Sequence, residues 1–265
     1  LVCLLGPNGA GKSTLLRTAA AMQKPLAGDV LLEGRDIHSM PKLELARQLS
    51  VVLTERITVG LLTAYEIVSL GRSPYTGWSG ALGDEDHRIV EESIRAVGAD
   101  ALAHRYVSEL SDGERQKVMV ARALAQQPRI MILDEITAFL DLPRRVEIMQ
   151  ILRNLAHGYG CAILLSTHDL DLALGTADRV WLLPKGGKLV AGAPEDLVLG
   201  GAFAGAFAGE GVHFDVEAGS FKTHASFHSE VALAGEWAPA RWTRRALERA
   251  GYRITEAHSA RMQVT

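Results

Sequence analysis

Short apolar runs that end in polar residues recur along the first two thirds of the chain. The segments at 1–5, 49–53, 130–135 and 161–169 read "LVCLL", "LSVVL", "IMILDE" and "CAILLSTHD". Their length and composition are typical of strands buried on both faces, and longer segments with helical periodicity separate them. Strands that alternate with helices indicate a mostly parallel sheet with function at the carboxyl ends of its strands. The pattern predicts an α/β fold.

The character of the chain turns helical after the second apolar run. Thr63 and Glu66 have the spacing of a capping box, Gly71 is predicted to end that helix, and Asp84 is predicted to cap the next one. Residues from about 63 to 127 are therefore predicted to form a helical subdomain inserted into the sheet.

The last quarter of the chain has a different pattern. "GGAFAGAFAGEG" at 200–211 is rich in small residues and predicts a linker, which leaves residues 1–199 as the main domain. Beyond it, "VHFDV", "EVALA" and "YRITE" are typical strands, with a helix near 240–250, so residues 212–265 are predicted to form a small α/β unit. That helix carries four arginines, interpreted as a solvated face: Arg241, Arg244, Arg245 and Arg249.

Composition limits the class of protein. The chain has 265 residues, 48% hydrophobic and 22% charged, as in ordinary globular proteins. A net charge of −3 argues against general nucleic-acid binding. Cys3 and Cys161 lie in apolar runs without a partner spacing, which indicates core thiols in a reducing cytoplasm. No apolar stretch approaches the roughly 18–20 residues that span a bilayer. Leu1 lies inside an apolar run, so further residues are expected to precede it.

The first polar loop, "GPNGAGKST", has the full spacing of a Walker A phosphate loop. Its glycines let backbone amides converge on phosphate oxygens, Lys12 reaches the β and γ phosphates, and the Ser13 hydroxyl can ligate Mg²⁺. A strand and a helix flank the loop as this role requires, which disfavours a glycine-rich turn without a ligand. The predicted phosphate-binding residues are Gly6, Pro7, Asn8, Gly9, Ala10, Gly11, Lys12, Ser13 and Thr14.

Polar residues at later strand ends complement this loop. Asp134 could hold the hydration shell of Mg²⁺, and Glu135 could orient or deprotonate an attacking water. His168 ends the next strand and could contact the γ-phosphate, although a lone histidine is more often structural. Two acids could also mark a helix start. Asp141 fits a helix cap before Pro143 as well as it fits a functional residue.

"LSDGERQ", at 110–116, is a second phosphate-binding pattern, because it opens a helix with a serine and a glycine. Ser111 and Glu114 form a capping box, which by itself would account for the serine. The cap does not account for Gly113, nor for the strand with paired acids about twenty residues later.

Together these motifs resemble the ATP-binding cassette (ABC) ATPases, from Gly6 to Asp169. The resemblance implies a P-loop NTPase (RecA-like) fold, ATP and Mg²⁺ as ligands, and a homodimer. In that family the signature motif, which corresponds to "LSDGERQ" at 110–116 here, binds the γ-phosphate of ATP held by the Walker A loop of a second subunit. The resemblance implies this role for Ser111 and Gly113. It also places Asp141 among the nucleotide-binding residues.

Several positions depart from the family pattern. Asp112 and Glu114 place acids in the signature motif, and Ile136 replaces the usual proline. Glu55 stands where the family has a glutamine; its oxygen could bind Mg²⁺, but its charge leaves that role open. The adenine-stacking aromatic residue of the family lies upstream of Walker A, beyond the start of this sequence.

"TVGLLTAYEIVSLGRSPYTGW", at 58–78, is further similar to cassettes of iron-chelate, haem and cobalamin importers. This implies a peripheral ATPase at the cytoplasmic face of the bacterial membrane, driving a permease that a substrate-binding protein feeds. Tyr75 and Trp78 are equally consistent with a permease contact and with internal packing. A soluble ABC ATPase acting on nucleic acid or ribosomes is disfavoured, because the chain has one cassette and no heptad run. An export cassette remains open.

Overall fold

The structure, a computed structural model, describes residues 1–53, 61–207, 212–216, 220–223, 228–233, 238–255 and 263–264. The chain divides into two compact units, Leu1–Phe207 and Ala208–Thr265. Glu55, for which a Mg²⁺ contact was considered, lies outside the described residues.

The first unit alternates strands and helices. Its elements, in chain order, are β1 (Val2–Leu5), α1 (Lys12–Ala19), β2 (Leu31–Leu32), β3 (Arg35–Asp36), α2 (Lys42–Gln48), β4 (Leu49–Val52), α3 (Ala64–Ser69), α4 (Asp84–Ala96), α5 (Asp112–Ala125), β5 (Ile130–Asp134), α6 (Leu142–Gly158), β6 (Ala162–Ser166), α7 (Leu170–Thr176), β7 (Arg179–Leu182), β8 (Val190–Gly192), α8 (Pro194–Leu199) and α9 (Ala202–Ala206).

A six-stranded sheet organises this unit, in the order β4-β5-β6-β1-β7-β8. All neighbours are parallel except the antiparallel edge pair β7 and β8. The prediction of a mostly parallel α/β sheet is therefore confirmed. Strand order differs from chain order because each parallel neighbour is reached through a helical crossover.

Both faces of the sheet are buried, which explains why its strands are apolar throughout. On one face a cluster packs the sheet against α1, and its members are Leu4, Leu16, Ala20, Leu49, Ile132 and Leu164. The alternate residues on β5 and β6, Met131, Leu133, Ile163 and Leu165, point to the other face and are equally buried.

Helices α3, α4 and α5 pack against one another. Thr63 caps α3 through the predicted capping box with Glu66. α3 ends at Ser69 with Leu70 as its C-terminal cap, so Gly71 directly follows the cap, and a Cβ on Gly71 would lie 2.3 Å from the carbonyl oxygen of Arg122. This glycine permits close packing of two segments.

The start of α4 also differs from the prediction, in the residue that caps it. The helix begins at Asp84, and the carboxylate of Asp86 accepts the amide of Gly83 at 3.1 Å. The acid at the third helical position therefore supplies the cap that was assigned to the first.

The predicted linker begins inside the first unit. Residues 202–206 form α9, and Phe203 within it has no exposed surface. Small residues here permit a short packed helix as well as a flexible chain, and burial of the phenylalanine favours the helix.

The second unit contains a hairpin, a helix and a small parallel sheet. Its elements are β9 (Val212–Asp215), β10 (Ser220–Thr223), β11 (Ser229–Leu233), α10 (Ala238–Arg249), β12 (Tyr252–Thr255) and β13 (Gln263–Val264). β9 and β10 are antiparallel, whereas β11 pairs in parallel with both β12 and β13. The arginines of α10 are exposed, and the Arg245 guanidinium lies 5.0 Å above the Trp242 ring.

Both cysteines are free thiols in the first unit, as the sequence indicated. Burial raises the pKa of Cys3 to about 12 and that of Cys161 to about 11. Among the described helices, none has the length and apolar character needed to cross a membrane.

Candidate nucleotide-binding site

Strand register places the carboxyl ends of β5, β6 and β1 side by side. Asp134, the last residue of β5, pairs with Ser166, the last residue of β6. Ser166 in turn pairs with Leu4 of β1, which leads directly into the phosphate loop. Because parallel strands end at the same edge, residues far apart in sequence meet here.

The phosphate loop is shaped by its glycines and by one lysine. Gly9 and Gly11 have φ angles of 77° and 99°, in the left-handed region that favours glycine. The ammonium of Lys12 donates to the carbonyl oxygens of Gly6 at 2.9 Å and Pro7 at 3.3 Å. Burial lowers the pKa of Lys12, and the nearby Glu135 and Asp134 carboxylates act in the opposite direction. The ammonium group of Lys12 is therefore held against the backbone of its own loop.

Ser13, Asp134 and Ser166 form one hydrogen-bonded cluster below that loop. The Ser13 hydroxyl donates to Asp134 Oδ1 at 3.3 Å, and the buried Ser166 hydroxyl donates to the same oxygen at 2.6 Å. A hydroxyl and a carboxylate this close are oxygen ligands that suit Mg²⁺. No group of three or more His, Cys, Asp or Glu side chains in the described part of the chain could hold a metal. An ion here would therefore need phosphate or water oxygens as well.

Glu135 and His168 meet above the cluster. Oε1 of Glu135 lies 2.6 Å from Nε2 of His168, and an ionised carboxylate can only accept, so Nε2 donates. The backbone of Glu135 has a φ of 50°, which is uncommon outside glycine. Its amide donates to the Ser166 hydroxyl at 3.0 Å, which anchors this turn to β6. The turn that carries the Glu135 carboxylate is thus fixed at the edge of the sheet.

Glu135 and His168 also line a cavity of about 200 Å³. Its other lining residues are Thr137, Ala138, Arg145, Thr167 and Asp169. The wall combines acidic, basic and hydroxyl groups, so it offers both donors and acceptors next to the Glu135 carboxylate.

The signature segment, residues 110–116, leads into the first turn of α5. Ser111 caps α5 in a capping box, with its hydroxyl donating to Glu114 Oε2 at 2.8 Å. The described hydrogen bonds of Ser111 stay within this turn. A Cβ on Gly113 would lie 3.3 Å from the side chain of Arg144, at the start of α6. The Ser111 amide and hydroxyl, with Arg105, hold the pKa of Glu114 below its usual value.

Asp141 has the capping role that the sequence left as one of two readings. Its Oδ1 accepts the amide of Arg144 at 3.1 Å, which starts α6. The cap is compatible with a nucleotide contact by the same loop, so both readings stand.

Tyr75 and Trp78 have different environments. The Tyr75 ring lies between the guanidinium groups of Arg72, at 4.0 Å, and Arg47, at 5.1 Å, and its hydroxyl donates to the carbonyl of Gln126. Trp78 is fully exposed. Tyr75 therefore packs within the unit, and Trp78 is free to contact a partner.

Two residues at the site were not singled out from the sequence. Ser166 bridges Asp134 and the turn at Glu135, and Arg145 contacts the segments on both sides of the cavity. Ser166 could have been recognised, because it ends an apolar strand one step before "THD". Arg145 lies in a charged helical turn that carries no distinguishing pattern.

Comparison with known proteins agrees with this geometry. Residues 1–138 match the model of the ABC transporter family, and residues 228–265 match the iron ABC transporter C-terminal domain. The first match contains the phosphate loop, the signature segment and the paired acids.

Relatives and solved structures extend the match. An ABC transporter ATP-binding protein of Methanocaldococcus jannaschii is 46% identical over 198 residues, covering 75% of this chain and 68% of that one. The petrobactin import ATP-binding protein of Bacillus anthracis is 35% identical over 222 residues, covering 84% and 80%. A dimeric ATP-binding cassette solved in a post-hydrolysis state with ADP and phosphate has a TM-score of 0.62 at 29% identity, covering 73% of this chain and 85% of that one. This chain therefore belongs to the ABC transporter family, as one of its ATP-hydrolysing cassettes.

Proposed function

We propose that the chain is the ATPase subunit of a bacterial importer for iron chelates, haem or cobalamin-type complexes. The observation that carries this proposal is the pairing of a cassette with a segment that matches the iron ABC transporter C-terminal domain. The petrobactin import relative covers most of the chain and supports the same direction of transport. The subunit would act peripherally at the cytoplasmic face of the membrane, on a permease fed by a substrate-binding protein.

The proposed division of labour within the chain follows its two units. Residues 1–199 would bind and hydrolyse ATP, with the helical subdomain at about 63–127 facing the permease through exposed Trp78. Residues 200–211 would connect this domain to the accessory unit 212–265. Nucleic acid has no part in this function.

At the nucleotide, the phosphate loop from Gly6 to Thr14 would hold the phosphates, with Lys12 moving from the Gly6 carbonyl to the γ-phosphate. Ser13 and Asp134 would hold Mg²⁺, which neutralises phosphate charge when bound. Ser166 fixes the carboxylate of Asp134 in the orientation that this role requires.

Glu135 would orient the attacking water and accept its proton. His168 donates to the same carboxylate, so it would hold Glu135 in place until the γ-phosphate offers a competing acceptor. Both side chains line the cavity of about 200 Å³, which would give water access to the carboxylate.

The ATPase subunit would work as a head-to-tail homodimer. Ser111 and Gly113 lie in a segment whose contacts lead to Glu114 and Arg144, and no described hydrogen bond of Ser111 leads to the phosphate loop. A second subunit would bring its Lys12 to this segment. The dimeric cassette with ADP and phosphate supports such an assembly.

Replacing Glu135 with Gln tests the catalytic assignment. The variant should bind ATP as tightly as the wild type, because the phosphate loop is untouched. Its steady-state turnover should fall by about 100-fold or more, because the proton acceptor is lost. Binding is measured by calorimetry and turnover by phosphate release. Turnover near the wild-type rate would remove Glu135 from this role.

The transport assignment is tested by purifying the chain from detergent-solubilised membranes of its native cells. An importer predicts co-purification with a permease and a stimulation of ATP hydrolysis by the substrate-loaded binding protein. Co-purification with a single exporter subunit, or with ribosomes and nucleic acid, would contradict the proposal and identify the alternative.

A further inference from the structure

The guanidinium of Arg145 joins two loops of the site. Its Nε donates to the carbonyl oxygen of Leu140 at 2.7 Å, and its Nη1 donates to Asp169 Oδ2 at 3.4 Å. The Asp169 side chain is 17% exposed and that of Arg145 is 36% exposed, so the contact lies at the wall of the cavity and not at an open surface.

Each end of this contact is next to a residue of the site. Leu140 immediately precedes Asp141, whose carboxylate caps α6. Asp169 immediately follows His168, and it caps α7 by accepting the amide of Leu172 at 3.2 Å. Any shift of Asp169 therefore moves the backbone that carries His168, and any shift of Leu140 moves the loop that begins at Glu135.

We propose that Arg145 is a positioning residue that holds the loop from Glu135 to Asp141 in register with His168 and Asp169. This inference rests on the roles proposed above for Glu135 and His168. The Glu135–His168 hydrogen bond joins the same two loops at 2.6 Å, so Arg145 forms the second of two ties across the cavity. When His168 turns toward the nucleotide and its hydrogen bond to Glu135 is lost, the contact of Arg145 with Leu140 and Asp169 would keep the two loops in register.

The chemistry of the side chain suits this task. A planar guanidinium directs separate N–H groups at two acceptors that lie in different directions, whereas a lysine ammonium acts as a single point charge on a flexible stem. Arg145 uses Nε for a backbone carbonyl and Nη1 for a carboxylate. The contact between the two loops thus requires the separately directed N–H donors of arginine as well as its charge.

Arg145→Met tests the proposal, because methionine keeps the length of the aliphatic stem and removes both donors. We expect kcat to fall about 10- to 100-fold, the size of effect that a displacement of about 1 Å causes. The KM for ATP and the calorimetric affinity should stay within about twofold, because the phosphate loop is unchanged. Arg153→Met, an exposed arginine on the same helix, is the matched control and should retain wild-type kcat.

Two further variants separate positioning from general stability. Asp169→Asn should lower kcat in the same way, and the double variant with Arg145→Met should lose little more, because both substitutions break one tie. Arg145→Lys should restore kcat only in part. The imidazole ¹H–¹⁵N signals of His168 should shift in Arg145→Met and stay in place in Arg153→Met.

The outcomes that overturn the proposal are specific. Wild-type kcat in Arg145→Met would show that the tie is dispensable. Additive losses in the double variant would show that Arg145 and Asp169 do not act through one contact. A fall in thermal midpoint with a matching loss of ATP binding would assign Arg145 a role in folding alone. If Glu135→Gln is inactive while Arg145→Met is fully active, only the positioning role fails. An active Glu135→Gln would remove Glu135 from the proposed catalytic role, on which the positioning role rests.

Discussion

At the scale of single residues, the candidate site depends on side chains that position its acidic residues through hydrogen bonds. Ser166 has no exposed surface, yet its hydroxyl donates to Asp134 and accepts the amide of Glu135. One hydroxyl therefore holds the carboxylate of Asp134 and the backbone of Glu135. A buried hydroxyl with two partners is costly to remove, because each partner is left with an unmet hydrogen bond.

Ser166→Ala should raise the Mg²⁺ concentration required for half-maximal ATPase activity about 10-fold or more, because the carboxylate of Asp134 loses its support. Ser50→Ala is the matched control: Ser50 is a buried serine on β4 of the same sheet, and its hydroxyl has no hydrogen-bond partner among the described residues. Titration of Mg²⁺ at saturating ATP measures the effect. An unchanged Mg²⁺ requirement in Ser166→Ala would show that Asp134 does not need this hydroxyl.

At the scale of elements, helices α5 and α6 are joined by ionic contacts next to the signature segment. Glu147 of α6 accepts hydrogen bonds from Lys117 of α5 and from Arg144 of its own helix. Arg144 in turn packs against Gly113. The contacts of Glu147 and Arg144 therefore connect α6, which follows the paired acids, to α5, which begins within the signature segment.

The pH dependence of the free energy of unfolding reports on the contacts of Glu147 with Lys117 and Arg144. Hydrogen bonds from Lys117 and then Arg144 hold the pKa of Glu147 below its ordinary value. A lowered folded-state pKa gives stability that is complete above the ordinary glutamate value of about 4.3 and is lost as the pH falls through the folded-state pKa.

We therefore expect Glu147→Gln to unfold about 1 kcal/mol more easily than the wild type at neutral pH, since the pair is partly screened. The difference should shrink as the pH falls below about 4.3. Denaturant unfolding at a series of pH values measures it, with exposed Glu91→Gln as the control. A difference that is constant with pH would show that the effect is not ionic.

How much of these elements the sequence predicts depends on the range of the interactions. Apolar strands and helix caps are local, so β5, β6 and the capping boxes at Thr63 and Ser111 follow from the letters alone. Gly71 and Arg145 act through contacts with residues distant in sequence, at Arg122 and Asp169, and no local pattern encodes such pairs. Phe203 likewise orders a stretch whose composition indicated a linker.

At the scale of the whole molecule, the described hydrogen bonds of Lys12 and Ser111 do not link the phosphate loop to the signature segment. Lys12 contacts the carbonyls of its own loop, and Ser111 bonds within its own helical turn. In the proposed head-to-tail dimer, each nucleotide would lie between Lys12 of one subunit and Ser111 of the other.

Genetically linked dimers distinguish this arrangement from one in which each chain uses both devices on its own nucleotide. In the first linked dimer, one half carries Lys12→Ala and the other carries Ser111→Arg. Across the interface both lesions fall in one site and leave the other intact, so the dimer should occlude ATP at that site. If each half worked alone, both halves would be damaged and no ATP would be retained.

The second linked dimer places both lesions in the same half and reverses the expectation. Across the interface each site then contains one lesion, so ATP occlusion should be lost, whereas a half that worked alone would still be intact and would retain ATP. Both dimers carry the same two substitutions, so differences in stability or expression cannot produce the opposite results. Occlusion is measured as labelled nucleotide that stays with the protein through rapid gel filtration. Retention by the second dimer and not by the first would overturn the head-to-tail assembly.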